Sequence, residues 1–318
     1  VASAELAEPV AATAATARTW LLIEQPGPWG AKALKASHLD PALGRALDSL
    51  ADGTGVRVGL IRRPGRHADL HRPGSRRVFL AHTAPQDPWI RTADLRDPGE
   101  LTDLDVAAAG GGRHGGFGAA YDGPPLAFVC TNGRRDRCCA LYGRPLAEEL
   151  AASAGPGQVW ETTHLGGHRF APTMLVLPHA YAYARIDGRR AKDVLDAAAS
   201  GQVLPEGCRG RSTWDRPGQA AELAVRELTG ERRADALSVT GTGPAGPGDD
   251  DAGPAGAGWT VTVAHRDGRA WRVGVRRLAA QPPRPESCGA ALGTPPVMDV
   301  TDLTDVTDVA GRTPVVTG

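Results

Sequence analysis

The chain has 318 residues, enough for two compact domains, and its 36 basic and 36 acidic side chains leave a net charge of zero. That balance excludes the basic footprint of a nucleic-acid binder and a polybasic membrane surface. No apolar run approaches the roughly 20 residues that span a bilayer.

Residues 1–16 are Ala-rich, carry no periodicity and lack the basic segment and apolar core of a signal peptide. They are expected to be a flexible N-terminus, and the protein to be cytoplasmic. TWLLIE (19–24) predicts a strand. DPALGRALDSLADG (40–53) predicts a helix with Leu43, Ala46, Leu47 and Leu50 on one side, opened by Asp40-Pro41 and closed by Gly53. VRVGLI (56–61), RVFLAH (77–82) and WIRTADL (89–95) read as strands, ELTDLDVAAAG (100–110) as a short helix, and the glycine tract 110–116 as a flexible boundary. A second block follows: strand PLAFVC (125–130), helix PLAEELAASAG (145–155), strand QVWETT (158–163), the antiparallel pair TMLVLP (173–178) and AYARID (182–187), and helix RRAKDVLDAAASG (189–201).

Both blocks run β-α-β-β-β-α, the thioredoxin-like order within the α/β class. The expected organisation is a degenerate, cysteine-free thioredoxin-like domain at 17–112 and a thioredoxin-like domain at 120–232 that carries the cysteine cluster and ends in helix PGQAAELAVRELTG (217–230). Residues 240–258 read as a loop. Alternation on either side of Asp267-Gly268 predicts a β-hairpin extension within 233–280. The remainder, 281–318, reads as a disordered tail. Its Asp299, Asp302, Asp305 and Asp308 recur every third residue, which suits neither a helix nor a strand face.

The cysteines are Cys130, Cys138, Cys139, Cys208 and Cys288. An odd number with three inside ten residues is not a secreted disulfide framework, and points to metal or redox chemistry. Cys130, Cys139, His164 and His168 form the pattern Cys-x8-Cys followed by His-x3-His, two thiolates and two imidazoles. That set serves either a tetrahedral Zn2+ or an iron–sulfur cluster of mixed ligation. His-x3-His suits a helix, but Gly166 and Gly167 would cost about 2 kcal/mol there, so a loop is expected. The cysteine spacer is also wider than in zinc fingers. These features favour a group larger than one ion. Cys138, beside Cys139, is the alternative second thiolate.

CTNGRRDRCCALYG (130–143) followed by WETTHLGGHRFAPTMLVLP (160–178) resembles the sucrase/ferredoxin-like family, whose cluster domain is similar to the thioredoxin-like [2Fe–2S] ferredoxins. The likeness extends from TAATARTWLLIEQPGPWG to about residue 288. It implies a [2Fe–2S] cluster with cysteine ligands nine positions apart, which selects Cys130 and Cys139, and with His164 and His168 in place of a second cysteine pair. Neutral imidazoles in place of thiolates raise the potential, and their second N–H groups make reduction proton-coupled. The word sucrase carries no weight, because no motif singles out the carboxylate pair that glycoside hydrolysis needs.

The resulting expectation is a soluble [2Fe–2S] electron-transfer protein, a carrier or redox component rather than a stand-alone enzyme. Its rivals are a structural zinc protein with a Cys2His2 site and a thiol–disulfide oxidoreductase on a thioredoxin-like fold. The latter lacks Cys-x-x-Cys and leaves the histidines unexplained. Arg134, Arg135, Arg137 and Arg169 offer a rim for an acidic donor or acceptor protein, or else a solvated loop paired with Asp136. Trp160 and Phe170 are expected to cover the site, Trp29 to pack, and His114, His179, Cys208 and Cys288 to be bystanders. Either Thr213 or Asp215 is expected to cap the last helix. GGGRHGGFG (110–118) has the glycines of a dinucleotide loop without the strand and helix around it, so no flavin or nicotinamide is expected.

Overall fold

The computed structural model of the protein describes residues 2–65, 74–245 and 258–307. The N-terminal segment is packed rather than flexible. It opens with a short helix, α1 (Ala2–Glu5), and buries Ser3, Glu8, Ala12 and Ala14. It is held by long-range bonds: Arg169 Nε donates to Glu8 Oε1 at 3.0 Å, Arg185 donates to the carbonyls of Ser3 and Glu8, and the Thr13 amide donates to the Arg209 carbonyl. Such anchors leave no periodic trace in the sequence.

Strand β1 (Thr19–Glu24) is apolar on both faces because it lies inside the sheet. Helix α2 (Pro41–Ala51) starts where Asp40 accepts from the amides of Ala42 (2.6 Å) and Leu43 (3.4 Å), with Pro41 leading the first turn. Strand β2 (Val56–Arg62) runs parallel to β1; β3 (Arg76–His82) and β4 (Trp89–Leu95) follow antiparallel. The expected helix at 100–110 is split into a 3-10 turn, Pro98–Asp103, capped by Asp97, and α3 (Val106–Gly110), capped by Asp105. The second acidic cap draws the backbone out of one continuous helix. The glycine tract is not a flexible boundary either. Strand β5 (Ala119–Ala120), beyond it, still pairs with β4, and Gly112, at φ 89°, packs against the His82 ring.

The second half comprises β6 (Leu126–Cys130), α4 (Arg137–Ser153), β7 (Val159–Thr162), β8 (Thr173–Leu177), β9 (Tyr181–Ala184) and α5 (Gly188–Ala199). Its strand order, β7-β6-β8-β9, reproduces β2-β1-β3-β4 of the first half, with the first pair parallel and the others antiparallel. This is the thioredoxin-like arrangement, present twice. The halves join edge to edge. Equivalent strands β2 and β7 meet antiparallel at Ile61↔Thr162 and Arg62↔Glu161, giving one 10-stranded sheet. One apolar layer crosses the seam, with Trp20, Phe79, Phe128 and Trp160 on the same face as Cys130. On the opposite face, α2 and α3 cover the first half, and α4 and α5 the second.

Strand β10 (Cys208–Arg211) closes the far edge, and α6 (Arg216–Thr229) follows, capped by Asp215 through the Gly218 amide at 2.8 Å. Thr213 does not cap; its hydroxyl donates to the Thr83 carbonyl. Helix α6 packs on a four-stranded antiparallel sheet of β11 (Leu237–Pro244), β12 (Gly258–His265), β13 (Ala270–Ala279) and β14 (Pro296–Asp305). The hairpin at Asp267-Gly268 is present, but it is the centre of a larger sheet. The loop expected at 240–258 begins with strand residues, and its middle lies outside the described residues.

The stretch expected to be disordered supplies β14, while 308–318 lie outside the described residues. The strand pattern was hidden by a bulge. Gly274 pairs with Asp302 and Val275 with Val300, so Thr301 is left over. Met298 and Leu303 are an odd number of positions apart, yet both pack on the same core because the extra residue resets the alternation. Asp299 accepts from Arg276 Nε across the pair at 2.9 Å. Among the described residues no helix is long and apolar enough to cross a membrane.

Candidate metal centre

Cys130 is the last residue of β6 and is 2% exposed. A tight loop follows in which the Asn132 carbonyl accepts from the amides of Arg135 and Asp136. Asp136 then caps α4, accepting from the Cys138 amide at 2.9 Å. The helix begins at Arg137, eight residues earlier than the apolar pattern indicates, and carries Pro145 inside it. Cys138 and Cys139 are therefore adjacent positions on a helical first turn and point to different sides. Cys139 faces inward, 1% exposed, with its free thiol hydrogen-bonded to that of Cys130.

The histidine pair hangs from the end of β7. His-Leu-Gly-Gly-His is a loop, as the glycines require. Gly166 (φ 80°) and Gly167 (φ 71°) are both left-handed, and the chain re-enters as a 3-10 turn, His168–Phe170. The turn stacks the two imidazoles, with ring centroids 4.2 Å apart and planes 21° from parallel. His168 Nδ1 lies 3.5 Å from Cys139 Sγ. Cys130, Cys139, His164 and His168 thus converge on one place; Trp160, fully buried, shares an apolar layer with Cys130 and Cys139, and Phe170, also fully buried, packs beside Gly167.

Two arginines hold the histidine loop, and sequence reasoning missed both. Arg57, on β2 of the first half, donates to the His164 carbonyl at 3.0 Å. Arg209, on β10, donates to the Gly166 carbonyl at 3.1 Å and to Thr13 Oγ1 at 3.0 Å. Its guanidinium presses so close on Gly167 that a Cβ there would lie 2.2 Å away, a second reason for glycine at this position. Burial lowers the pKa of Arg57, and pushes that of Arg209 down to about 9. No local sequence signal marks either arginine: Cys-Arg-Gly-Arg reads as a charged segment, and only the fold buries all four positions. Arg211, its partner on β10, serves the scaffold: it donates to the carbonyls of Thr83 and Ala234.

The electrostatics suit ligation. Burial, then neighbouring His168 and Arg57, pushes the His164 pKa down to about 3, and burial also lowers that of His168. Both shifts favour the neutral imidazole, the form that can offer a lone pair. The Cys130 thiol is brought down to about 7 by the bond from Cys139, against burial, with help from the amides of Leu165 and Asn132 and the hydroxyl of Thr173. Cys139, which donates in that arrangement, is pushed up by the bond and by burial. This donor set, with N–H groups already aimed at sulfur, fits an iron–sulfur group.

Other expectations are corrected by position. Arg169 is not on a docking rim; it is 7% exposed and paired with Glu8, while Arg134, Arg135 and Arg137 are exposed. Asp136 is turned inward as a cap rather than outward to a surface arginine. Cys288 is not a bystander. Its sulfur lies 2.7 Å from that of Cys138, and its amide donates to Asp136 Oδ2 at 2.8 Å. Asp136, Cys138 and Cys288 bring ligand-type atoms within 4.8 Å of one another, beside the first group but distinct from it. Cys208 is buried in the opposite core, its pKa pushed up to about 12 by burial.

Two cavities flank the histidines. One of about 560 Å3 lies on the first-half side and is lined by Lys32, Lys35, Arg57, Asn132, Arg135 and His164. The other, about 290 Å3, is lined by His164, His168, Arg169, Glu286 and Ser287. Neither is lined by Cys130 or Cys139.

Compared with known proteins, residues 10–210 match the family model described as Sucrase/ferredoxin-like. The match takes in both halves of the large sheet, and stops well short of residue 288. No curated protein matches, and no solved structure does.

Proposed function

Because the chain belongs to the sucrase/ferredoxin-like family, we propose that Cys130, Cys139, His164 and His168 hold a [2Fe–2S] cluster in an electron-transfer protein, a carrier or redox component rather than a stand-alone enzyme. When bound, the cluster would accept and give up one electron at a time. The observation that carries the reading is the convergence of the two ligand pairs, with Cys139 Sγ at 3.5 Å from His168 Nδ1 and the imidazoles stacked at 4.2 Å.

The protein's own residues supply the rest. Amides of Leu165 and Asn132 donate to sulfur and favour the thiolate. Arg57 and Arg209 fix the histidine loop by its carbonyls, one from each half of the sheet. With a cluster bound, the second ring N–H of His164 or His168 would be the group that gives up and takes up a proton. The exposed Arg134, Arg135 and Arg137 form the docking rim for an acidic donor or acceptor protein.

The test is metal and sulfide analysis with EPR on anaerobically purified protein. A red-brown protein with two irons and two sulfides per chain is expected. A colourless protein with one zinc would overturn the proposal in favour of a structural site. Cys139→Ala should lose the cluster and Cys138→Ala keep it, since Cys138 points away. His164→Cys should retain a cluster of lower potential.

A further inference from the structure

Cys138 and Cys288 lie 150 positions apart in sequence, one on the first turn of α4 and the other between β13 and β14. One buried carboxylate brings them together. Asp136 Oδ1 accepts from the Cys138 amide at 2.9 Å and Oδ2 from the Cys288 amide at 2.8 Å. The segment carrying Cys288 is tied down again nearby. Arg284 is 4% exposed, approaches Glu8 Oε2 at 3.6 Å, and exchanges backbone hydrogen bonds with Gly293 at 2.7 and 3.0 Å. Glu286 reaches Arg169 at 3.5 Å and, with Ser287, walls the cavity beside His168. Residues 284–288 are therefore a strap from the C-terminal sheet laid across one side of the histidines.

Two chemistries compete for this thiol pair. Two thiolates on one tetrahedral ion, each about 2.3 Å from it, would sit roughly 3.8 Å apart. The sulfurs are 2.7 Å apart, and both oxygens of Asp136 are already engaged by amides. We infer that Cys138 and Cys288 are a reversible dithiol–disulfide pair that fastens the strap over the His168 side of the site. Cys139 cannot substitute, because it is buried against Cys130, and Cys208 lies in the opposite core.

The oxidant class is a low-molecular-weight disulfide. Cys288 is exposed and Cys138 partly so. The Cys288 sulfur attacks one sulfur of the small disulfide. Its S–S bond breaks, a mixed disulfide forms on Cys288, and one small thiol leaves with the Cys288 proton. The Cys138 sulfur then attacks the Cys288 sulfur, and the second small thiol leaves with the Cys138 proton. The protein loses two electrons, and one small disulfide becomes two thiols.

The experiment treats the protein, as purified, with glutathione disulfide, blocks free thiols, and maps peptides with fragmentation between Cys138 and Cys139. A Cys138–Cys288 link and loss of the mass of two hydrogens are expected. Amide exchange across 284–290 should slow on the order of tenfold on oxidation. Cys288→Ser should abolish both effects, and Cys138→Ser should trap glutathione on Cys288. A link through Cys139, a stable mixed disulfide on Cys288 in the unmutated protein, or unchanged exchange after the link forms would overturn the inference. None of these readouts depends on which metal the neighbouring site holds.

Discussion

The seam between the two halves can be tested through Arg62 and Glu161. They face each other across the β2–β7 junction, 5% and 1% exposed. Glu161 Oε2 accepts from Arg62 Nε at 2.9 Å, from Arg62 Nη2 at 2.7 Å and from the Thr131 hydroxyl at 2.7 Å, one residue past Cys130. Arg62 also donates to the Gly27 carbonyl at 3.0 Å and lies 4.0 Å over the Trp29 ring. Burial lowers its pKa even with Glu161 beside it, so the cost of desolvation exceeds the attraction. Glu161→Gln keeps the shape and removes the compensating charge, leaving a buried guanidinium uncompensated. The expected loss is about 3 kcal/mol, near the low end for breaking a buried pair, because the amide oxygen still accepts hydrogen bonds. Arg62→Met with Glu161→Leu removes both charges, and the orphaned Thr131 hydroxyl costs about 1 kcal/mol. The double variant should therefore lie within about 2 kcal/mol of the unmutated protein. Urea unfolding with unchanged m checks both. If Glu161→Gln costs under about 1 kcal/mol, or the double variant is less stable than the single one, the desolvation argument fails.

Acid sensitivity should trace in part to His179. Burial, aided by Arg211 and Arg226 and opposed by Asp235, pushes its pKa down from the ordinary 6.5 to about 4. The unfolded chain binds the proton first, so stability present above pH 6.5 is lost as the pH falls towards about 4. The loss is about 2 to 3 kcal/mol, and His179→Gln should flatten this limb of the stability–pH curve. Asp215→Ala removes the cap of α6 and should cost about 1 kcal/mol by urea unfolding; no change would mean that Pro217 alone starts the helix.

The local elements were readable because they follow short-range rules. TWLLIE, Asp40-Pro41 and Asp267-Gly268 each carry their own instruction, and β1, α2 and the β12–β13 hairpin follow. The glycines of His-Leu-Gly-Gly-His announced a loop, which the two left-handed residues bear out. The repeated β-α-β-β-β-α order was readable too, although not that the halves share one sheet. A two-residue seam of antiparallel pairing leaves no pattern in either strand. β14 was missed because the bulge at Thr301 breaks the alternation by which a strand is recognised.

By itself the sequence determined the β-α-β-β-β-α order within each half, the start of α2 at Asp40-Pro41, the turn at Asp267-Gly268, and the exclusion of a helix between the histidines. All of these depend on neighbours within a few residues. Only the tertiary structure decided that Cys139 faces Cys130 while Cys138 faces Cys288, that Arg169 turns inward to Glu8, and that Arg57 and Arg209 hold the histidine loop. Those choices are made between groups far apart in the chain. They depend on which side of α4 meets the sheet and which buried charge finds a partner, and packing alone sets both.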